Sequence, residues 1–266
     1  MKYILLLLVI TLLGCSSNKK QEMTSKLKIP VINLSKNVSS VPSLLLSEVA
    51  EKLEIVPLEM TDESVLSDIT EMQVTDHNIW IDHGREFYIY RFSRTGKFLN
   101  KIGSIGQGPG EYTTYSTFLV DEDKKEVYII ANTNGVLAYD FEGNFKRKIV
   151  DIQTILQLFS SVYDQYILNN QKFFATQNFA LYRPIDKDSL WSFVSLGDDF
   201  QKKKYFKNPA HVGKEELIIA NRANMDRMVN YWREYLTSMD TYNGQLTLKY
   251  PDTDTIYCYD DATNQL

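Results

Sequence analysis

The sequence has little histidine, cysteine or proline, and it has no long run of like charge. Three His, two Cys and seven Pro occur among 266 residues, and the formal net charge is −5. So few histidines argue against a zinc enzyme with a histidine-rich site, because such a site needs three or four converging ligands. The lack of a basic stretch gives no reason to expect nucleic acid as a partner.

Short catalytic motifs are missing as well. The sequence has no Gly-x-Ser-x-Gly, no His-Glu-x-x-His and no Cys/His pair in a usable context. Carboxylates are plentiful, but no two of them stand out as an acid–base pair. We therefore predict no cofactor, no metal and no catalytic residue. Catalytic groups can still converge from distant loops, so these absences do not exclude an enzyme.

The N-terminus carries a targeting pattern. Lys2 precedes an apolar run over residues 3–13, which is too short to span a membrane comfortably. The following Leu12-Leu13-Gly14-Cys15 resembles the lipobox of bacterial lipoproteins. That resemblance implies a signal peptide over residues 1–15 and a lipid on the Cys15 thiol. A plain signal peptide or a membrane helix fits less well, because polar residues follow the cysteine at once.

The lipobox resemblance has consequences for the rest of the chain. Residues 16–43 are predicted to be a polar tether from the membrane. By resemblance to known sorting rules, Ser16 after the cysteine favours the outer membrane, and the side that the protein faces stays open. With Cys15 acylated, Cys258 has no disulfide partner. Its apolar surroundings in the sequence predict a small core residue.

The chain also contains an internal repeat. Gly96 and Gly143 are 143 − 96 = 47 residues apart and lie in matching segments, FSRTGKF and YDFEGNF. A repeat of that length, made of strands, is typical of a propeller blade. Both glycines are predicted to adopt positive φ in a hairpin.

Three full repeats and most of a fourth can be placed. The predicted fold is therefore an all-β propeller of four-stranded antiparallel blades over residues 44–266. Helical spacing over 214–239 predicts one inserted amphipathic helix, and 54–59 predicts an edge strand containing Pro57. The predicted strands are 69–74, 78–81, 87–92 and 98–102, then 116–120, 126–130, 136–141 and 145–149, then 166–168, 173–176, 191–196 and 200–206, then 245–250 and 255–259.

A glycine-rich stretch adds a family resemblance. Residues 102–112 read IGSIGQGPGEY and precede a strand and then the Tyr-Asp-x-x-Gly-x-Phe turn. This pattern resembles the six-bladed β-propeller lipoproteins of Gram-negative bacteria, which are similar to NHL-repeat and TolB-like propellers. The resemblance implies blades around a central channel, often with an N-terminal strand closing the last blade.

The number of blades departs from that family. The sequence supplies about four blades rather than six, so we expect a truncated product of a longer gene. Alternatively, the ring closes in another way, with residues 54–59 as a missing outer strand or with a second copy of the chain. Truncation is favoured in this comparison, although an open ring would leave an apolar blade face exposed to aggregation.

The candidate ligand-binding residues follow from the same stretch. Gln107, Glu111 and Tyr112 are predicted to lie near a blade junction, where Tyr could stack on a sugar or a peptide. The alternative is that they pack and fix the loop. A phosphate site is disfavoured, because the loop lacks the Gly-Lys-Ser/Thr ending and precedes a strand rather than a helix.

One hairpin brings together possible metal ligands. Asp76, His77, Asp82 and His83 lie close in sequence, but at turns. We therefore favour solvated turn residues over a metal site.

Two functions are compatible with these patterns. The first is a membrane-tethered lipoprotein that acts as a non-catalytic binding module in the cell envelope, with a glycan, a peptide or a protein as its ligand. The alternative is a propeller-type enzyme, lactonase-like or lyase-like, with its site at the central channel. An enzyme should bring His and acidic side chains to the axis, whereas a binding module should bring aromatic and polar side chains there.

Overall fold

The structure, a computed structural model, describes residues 45–84, 86–158, 161–177, 193–201, 203–207, 238–242, 245–250, 253 and 255–260. The chain forms two compact units, Met1–Glu54 and Ile55–Leu266. The described part of the first unit contains the short helix α1 (Leu46–Val49). The predicted signal peptide, the tether and Cys15 lie outside the described residues.

The second unit is built from four antiparallel sheets in a propeller arrangement, which confirms the predicted fold class. In each sheet every strand pairs with the next strand in the sequence. We number the sheets as blades in chain order. Blade 1 contains β1 (Glu71–Val74), β2 (Asn78–Asp82), β3 (Ile89–Ser93) and β4 (Phe98–Ile102); blade 2 contains β5 (Tyr115–Asp121), β6 (Glu126–Ala131), β7 (Gly135–Asp140) and β8 (Phe145–Val150); blade 3 contains β9 (Ser161–Leu168), β10 (Gln171–Gln177), β11 (Phe193–Leu196) and β12 (Lys203–Phe206); and blade 4 contains β13 (Ser238–Tyr242), β14 (Gln245–Lys249) and β15 (Ile256–Cys258).

The predicted hairpin repeat is present in blades 1 and 2. Gly96 has a φ of +85° and Gly143 a φ of +89°, as the repeat predicts. The backbone N–H of Ser93 donates to the Lys97 carbonyl at 2.8 Å, and the backbone N–H of Asp140 donates to the Asn144 carbonyl at 2.9 Å. The two turns therefore close with the same hydrogen bond.

The strands around these turns share a register too. Phe92 pairs with Phe98 after a bulge in blade 1, and Tyr139 pairs with Phe145 after a bulge in blade 2. Each pair spans six residues, 98 − 92 and 145 − 139. The 47-residue period is therefore a structural repeat, down to the position of the bulge.

Apolar side chains fill the space between consecutive blades. Blades 1 and 2 enclose a cluster in which the rings of Trp80 and Phe141 lie 4.7 Å apart. Burial of these side chains provides the main stabilisation of the blade contacts. Further clusters join blades 2 and 3, where Ile155 of the helix α2 (Ile152–Leu158) takes part, and blades 3 and 4.

Some predicted bounds differ from the structure, and the first strand of the third repeat begins at Ser161 rather than at 166. The third repeat has its last strand at Lys203–Phe206 rather than from 200, because Phe200 has a φ of +58° and packs its buried ring 5.8 Å from that of Tyr128. Blade 4 begins at Ser238, so the predicted helix over 214–239 is wrong at its last two residues. Met239 is buried there between blades. The rest of that helix lies outside the described residues.

The predicted edge strand over 54–59 is also wrong, because residues 55–59 are not in a strand. They nevertheless pack on blade 1. The Glu59 N–H donates to the Gly96 carbonyl at 2.7 Å, and Val56 and Leu58 contact the face of blade 1 that points away from blade 2. A ladder is not formed, and Pro57 has no N–H to donate.

Cys258 is exposed, so its predicted core position is wrong. It pairs with Thr247 across β14 and β15, whereas the adjacent Leu246 and Leu248 are buried against blade 3. Directly opposed residues share one face of a sheet, so Cys258 lies on the face of blade 4 that points away from blade 3. Among the described residues, no helix is long and apolar enough to cross a membrane.

Candidate functional site

The first strand of every blade lines a common cleft, which we call the axial cleft. Its volume is about 860 Å³, and its walls are β1, β5, β9 and β13 with their adjoining turns. Strands β5 and β9 contact each other, as do β9 and β13. The predicted central channel therefore corresponds to this cleft between the innermost strands.

The lining of the axial cleft is strongly acidic. No Lys, Arg or His belongs to the described lining, whereas eight carboxylates do. Clustered charge of one sign between low-dielectric walls produces a strong local potential, here one that attracts cations. The eight are Glu71, Asp76, Asp82, Asp121, Glu122, Asp123, Asp164 and Asp240.

Glu71 is the most connected of these carboxylates. It begins β1 and is partly buried. The amide of Gln73 donates to its Oε1 at 2.7 Å, the hydroxyl of Thr117 donates to its Oε2 at 3.0 Å, and the amide of Gln165 also donates to Oε1. One carboxylate thus accepts hydrogen bonds from three blades, and all the donors are neutral.

The environment of Glu71 alters its titration. Removal from water raises the pKa of Glu71 to about 7, and repulsion from Asp82 and Asp164 acts in the same direction. The hydrogen bonds from Gln73 and Thr117 oppose this rise without cancelling it. Glu71 therefore gains or loses its charge near neutral pH, which is unusual for a carboxylate.

Three further carboxylates share this end of the cleft, which we call the Glu71 end. Asp82 lies directly opposite Glu71 in the sheet, and its Oδ1 accepts the Gly84 N–H at 2.8 Å. Asp164 accepts the Met239 N–H at 2.8 Å, and burial raises its pKa, with Asp240 adding repulsion. Within the described part of the chain, no ion pair involves Glu71, Asp82, Asp164 or Asp240.

Two carboxylates further along the cleft, Asp121 and Glu122, have described partners. Lys124 lies 3.4 Å from Asp121, and Asn78 donates to Glu122 at 3.1 Å. Thr75 also donates to Glu122. Because a strand rises about 3.3 Å per residue, this second group lies roughly 15 Å from Glu71. The two ends therefore differ in one respect: Asp121 has a described cation beside it, whereas the carboxylates of the Glu71 end have none.

A buried hydroxyl lies unpaired beside Asp82, behind the lining of the Glu71 end. Tyr115 is 8% exposed, and its hydroxyl has no hydrogen-bond partner among the described residues. Burial raises the pKa of Tyr115, and the nearby charge of Asp82 raises it further, although no well-formed hydrogen bond joins the two groups. An unsatisfied buried hydroxyl costs on the order of 1–3 kcal/mol.

The four possible metal ligands of the hairpin do not come together, and the favoured prediction of solvated turn residues is wrong for His83. His77 is exposed, whereas His83 is buried with its ring 5.2 Å from that of Tyr90. Asp82 instead lines the axial cleft. Among the described residues, no three His, Cys, Asp or Glu side chains are placed to hold a metal ion.

The predicted binding residues lie in the glycine-rich loop rather than in the axial cleft. Gln107 is exposed. The carboxylate of Glu111 accepts the Gly108 N–H at 2.8 Å, so the loop folds around its own anion. Tyr112 is fully buried and donates its hydroxyl hydrogen to the Phe87 carbonyl at 2.7 Å. These contacts fit loop fixation, and ligand binding by the three residues stays a prediction.

The sequence analysis missed the residues of the Glu71 end. They come from three blades and form no local motif, so their proximity is visible only after folding. A signal exists nonetheless: Glu71, Thr117 and Asp164 are separated by 46 and 47 residues, which is the repeat length. Polar residues at this spacing occupy equivalent places on innermost strands.

Comparison with known proteins gives a family and a fold. A family model described as "Domain of unknown function (DUF4934)" matches residues 29–265. A similar solved structure is that of a candidate exported protein of Bacteroides fragilis NCTC 9343, with 19% identity and a TM-score of 0.54 over 78% of this chain. The match covers 52% of that chain, so this protein spans about half its length.

Two other solved structures are more distant. One is a member of the DUF4221 family from Bacteroides vulgatus, with 13% identity, a TM-score of 0.45, and coverage of 79% of this chain and 61% of that one. The other is the extracellular domain of a candidate hybrid two-component system of B. thetaiotaomicron, with 12% identity, a TM-score of 0.43, and coverage of 78% and 24%. No curated protein matches the chain.

Proposed function

We propose that this chain, which belongs to the family described as "Domain of unknown function (DUF4934)" over residues 29–265, is a non-catalytic binding module of the cell envelope. Its ligand enters the axial cleft. The observation that carries this proposal is the cleft itself. It has a volume of about 860 Å³ and is lined by the innermost strands of all four blades. Pockets of this size between rigid elements are the usual place for a ligand.

The composition of the lining supports binding over catalysis. The lining includes Gln73, Gln165 and Tyr166, whose amide and phenol groups can orient a ligand by hydrogen bonds. Tyr166 is already held by a 2.8 Å hydrogen bond to Thr241 of the neighbouring blade. The described lining includes acidic side chains but no histidine, so only part of the pattern expected of an enzyme is present.

The proposed location is the outer membrane, through a lipid on Cys15. The Leu12-Leu13-Gly14-Cys15 sequence supports this anchor. A description as a candidate exported protein, given to the similar protein of Bacteroides fragilis, is in keeping with it. In this proposal the lipid on Cys15 holds the protein at the membrane, and the propeller binds the partner.

We further propose that this chain is related to the six-bladed lipoprotein propellers that its sequence resembles. The position of residues 55–59 supports this. A side chain at Gly143 would meet the Lys101 carbonyl of the preceding blade, and a side chain at Gly96 would meet the Pro57 carbonyl. Residues 55–59 therefore occupy, beside blade 1, the place that an outer strand occupies beside blade 2.

Anchoring is tested by labelling cells with radioactive palmitate. The wild-type protein should incorporate label and sediment with membranes, and Cys15→Ala should do neither. Incorporation by the Cys15→Ala variant would contradict the anchor.

Ligand entry is tested by thermal shift against a panel of glycans, peptides and small cations. Met72 is exposed and lines the cleft, so Met72→Trp should narrow it; Ile69 is equally exposed but lies outside the lining. A ligand should raise the melting temperature of the wild type and of Ile69→Trp, but not that of Met72→Trp. Equal shifts in all three proteins would place the ligand elsewhere.

A further inference from the structure

We propose that the Glu71 end of the axial cleft binds an alkylammonium group, so that the ligand is an organic cation such as a diamine or a polyamine. This inference rests on the proposed function, which places the ligand in the axial cleft. It adds the chemical class of the ligand and the residues that recognise it.

The first argument is uncompensated charge. Glu71, Asp82 and Asp164 reach this end from three different strands, and no described ion pair neutralises them. The groups that face Glu71 are Asp82 from β2, Asp164 from β9, and Tyr115 and Thr117 from β5. None of them is basic. Carboxylates that are removed from water without a counter-charge are costly, and a bound cation would supply that charge.

The second argument is the unpaired Tyr115 hydroxyl. It is buried beside Asp82, on the wall between blades 1 and 2. A hydroxyl without a partner can accept a hydrogen bond from an ammonium group that also contacts the carboxylate of Asp82. An ammonium has three donors and no acceptor, which matches a site that contains carboxylates and a hydroxyl oxygen.

The third argument separates an organic cation from a metal ion. The carboxylates of this end do not converge as a metal site requires. The two oxygens of Glu71 already accept hydrogen bonds from side chains of three blades. Met72, Ile167 and Met239 lie in the same lining and offer apolar contact to an alkyl chain. A metal ion makes no use of such contacts, whereas an alkylammonium does.

The inference has a pH signature. The pKa of Glu71 lies near 7 in the free protein, so a cation that favours the ionised carboxylate displaces a proton at lower pH. Affinity should therefore rise between pH 5.5 and pH 8. About a tenfold gain is expected, because only a small fraction of Glu71 is ionised at pH 5.5.

Titration calorimetry with 1,8-diaminooctane at pH 8 tests the proposal, with 1,8-octanediol as an uncharged ligand of equal length. The diamine should bind and the diol should not. Glu71→Gln and Asp82→Asn should each weaken binding about tenfold, and circular dichroism verifies their folding. Asp62→Asn removes the same charge from an exposed loop outside the cleft and should bind as the wild type does.

Each other outcome overturns the inference. Equal binding of the diol would show an apolar site, and competition by millimolar Mg²⁺ would show a metal site. If the diamine fails to bind while a panel ligand is lost in Met72→Trp, the cation class is wrong and the proposed function stands. If no panel ligand loses its thermal shift in Met72→Trp, both the inference and the proposed function are contradicted.

Discussion

Glu71 and Glu126 both begin a strand of the propeller, yet their surroundings are opposite. Glu126 accepts two hydrogen bonds from Arg147, at 2.7 and 2.9 Å, and lies 2.7 Å from Lys146. The hydrogen bonds from Arg147 lower the pKa of Glu126 to about 2. Glu71 receives only neutral donors and has a pKa of about 7.

The difference separates a structural carboxylate from one that is open to a ligand. Glu126 has its cations within the same blade, so its charge is compensated in the free protein. Glu71 retains an uncompensated charge above neutral pH, in a cleft that a small molecule can enter. A perturbed carboxylate in a cleft is a candidate for function on physical grounds.

The largest expected effect comes from disturbing a close approach between the two blades of this comparison. Gly143→Val should destabilise the protein by about 3 kcal/mol, since strained backbone and overpacking each cost about 1–3 kcal/mol. Its φ is +89°, and an added Cβ would lie 2.8 Å from the Lys101 carbonyl. Chemical denaturation measures the loss.

Thr133→Val is the matched control for that change. It introduces the same side chain at an exposed turn of blade 2 and should alter stability by less than about 0.5 kcal/mol. Similar losses in both variants would show that the turn at Gly143 has no special role.

The next largest effect is expected when the compensated charge of Glu126 is removed. Glu126→Gln should destabilise by about 2 kcal/mol at pH 7, a value reduced for the partial exposure of Arg147 and Lys146. Because the folded pKa is lowered, this contribution is present above pH 4.5 and is lost as the pH falls towards 2. A Glu126→Gln variant that is as stable as the wild type at pH 7 would contradict the role assigned to Glu126.

Removing the uncompensated charge should act in the opposite direction. Glu71→Gln should stabilise the ligand-free protein by about 1–2 kcal/mol at pH 8. Because the folded pKa is raised, the wild type has almost no penalty below pH 4.5, acquires it as the pH rises from 4.5 to 7, and carries it in full above that. The two proteins should therefore unfold alike at pH 4.5, and thermal melts across this range test it.

The smallest effect concerns the second cation of Glu126. Lys146 is partly exposed and shares Oε1 with Arg147, so Lys146→Ala should cost about 0.5 kcal/mol. A loss as large as that of Glu126→Gln would show that Lys146, rather than Arg147, compensates the charge.

The sequence predicts much of the fold because local patterns specify it. Gly96 and Gly143 mark equivalent turns, and the apolar segments around them place the strands of blades 1 and 2 within two residues of their observed bounds. The start of blade 4 is not predictable in this way. Met239 belongs equally to a helical spacing and to a strand, and only its burial against blade 3 decides between them.

The site is less predictable than the fold. Gln107, Glu111 and Tyr112 stand out because they follow a conspicuous glycine-rich stretch, but the structure uses Tyr112 as core and Glu111 to hold the loop. Glu71 and Asp164 do not stand out, because single carboxylates within strands or at their ends are common. Their importance comes from burial and mutual repulsion, and these arise from the packing of distant blades.

The most direct test of this account is a ¹³C NMR titration of the Glu71 side-chain carboxyl, with and without 1,8-diaminooctane. We predict a midpoint near pH 7 in the free protein and a shift to lower pH when the diamine is present. A midpoint near 4.5 that the diamine leaves unchanged would contradict both the uncompensated charge and its role in binding.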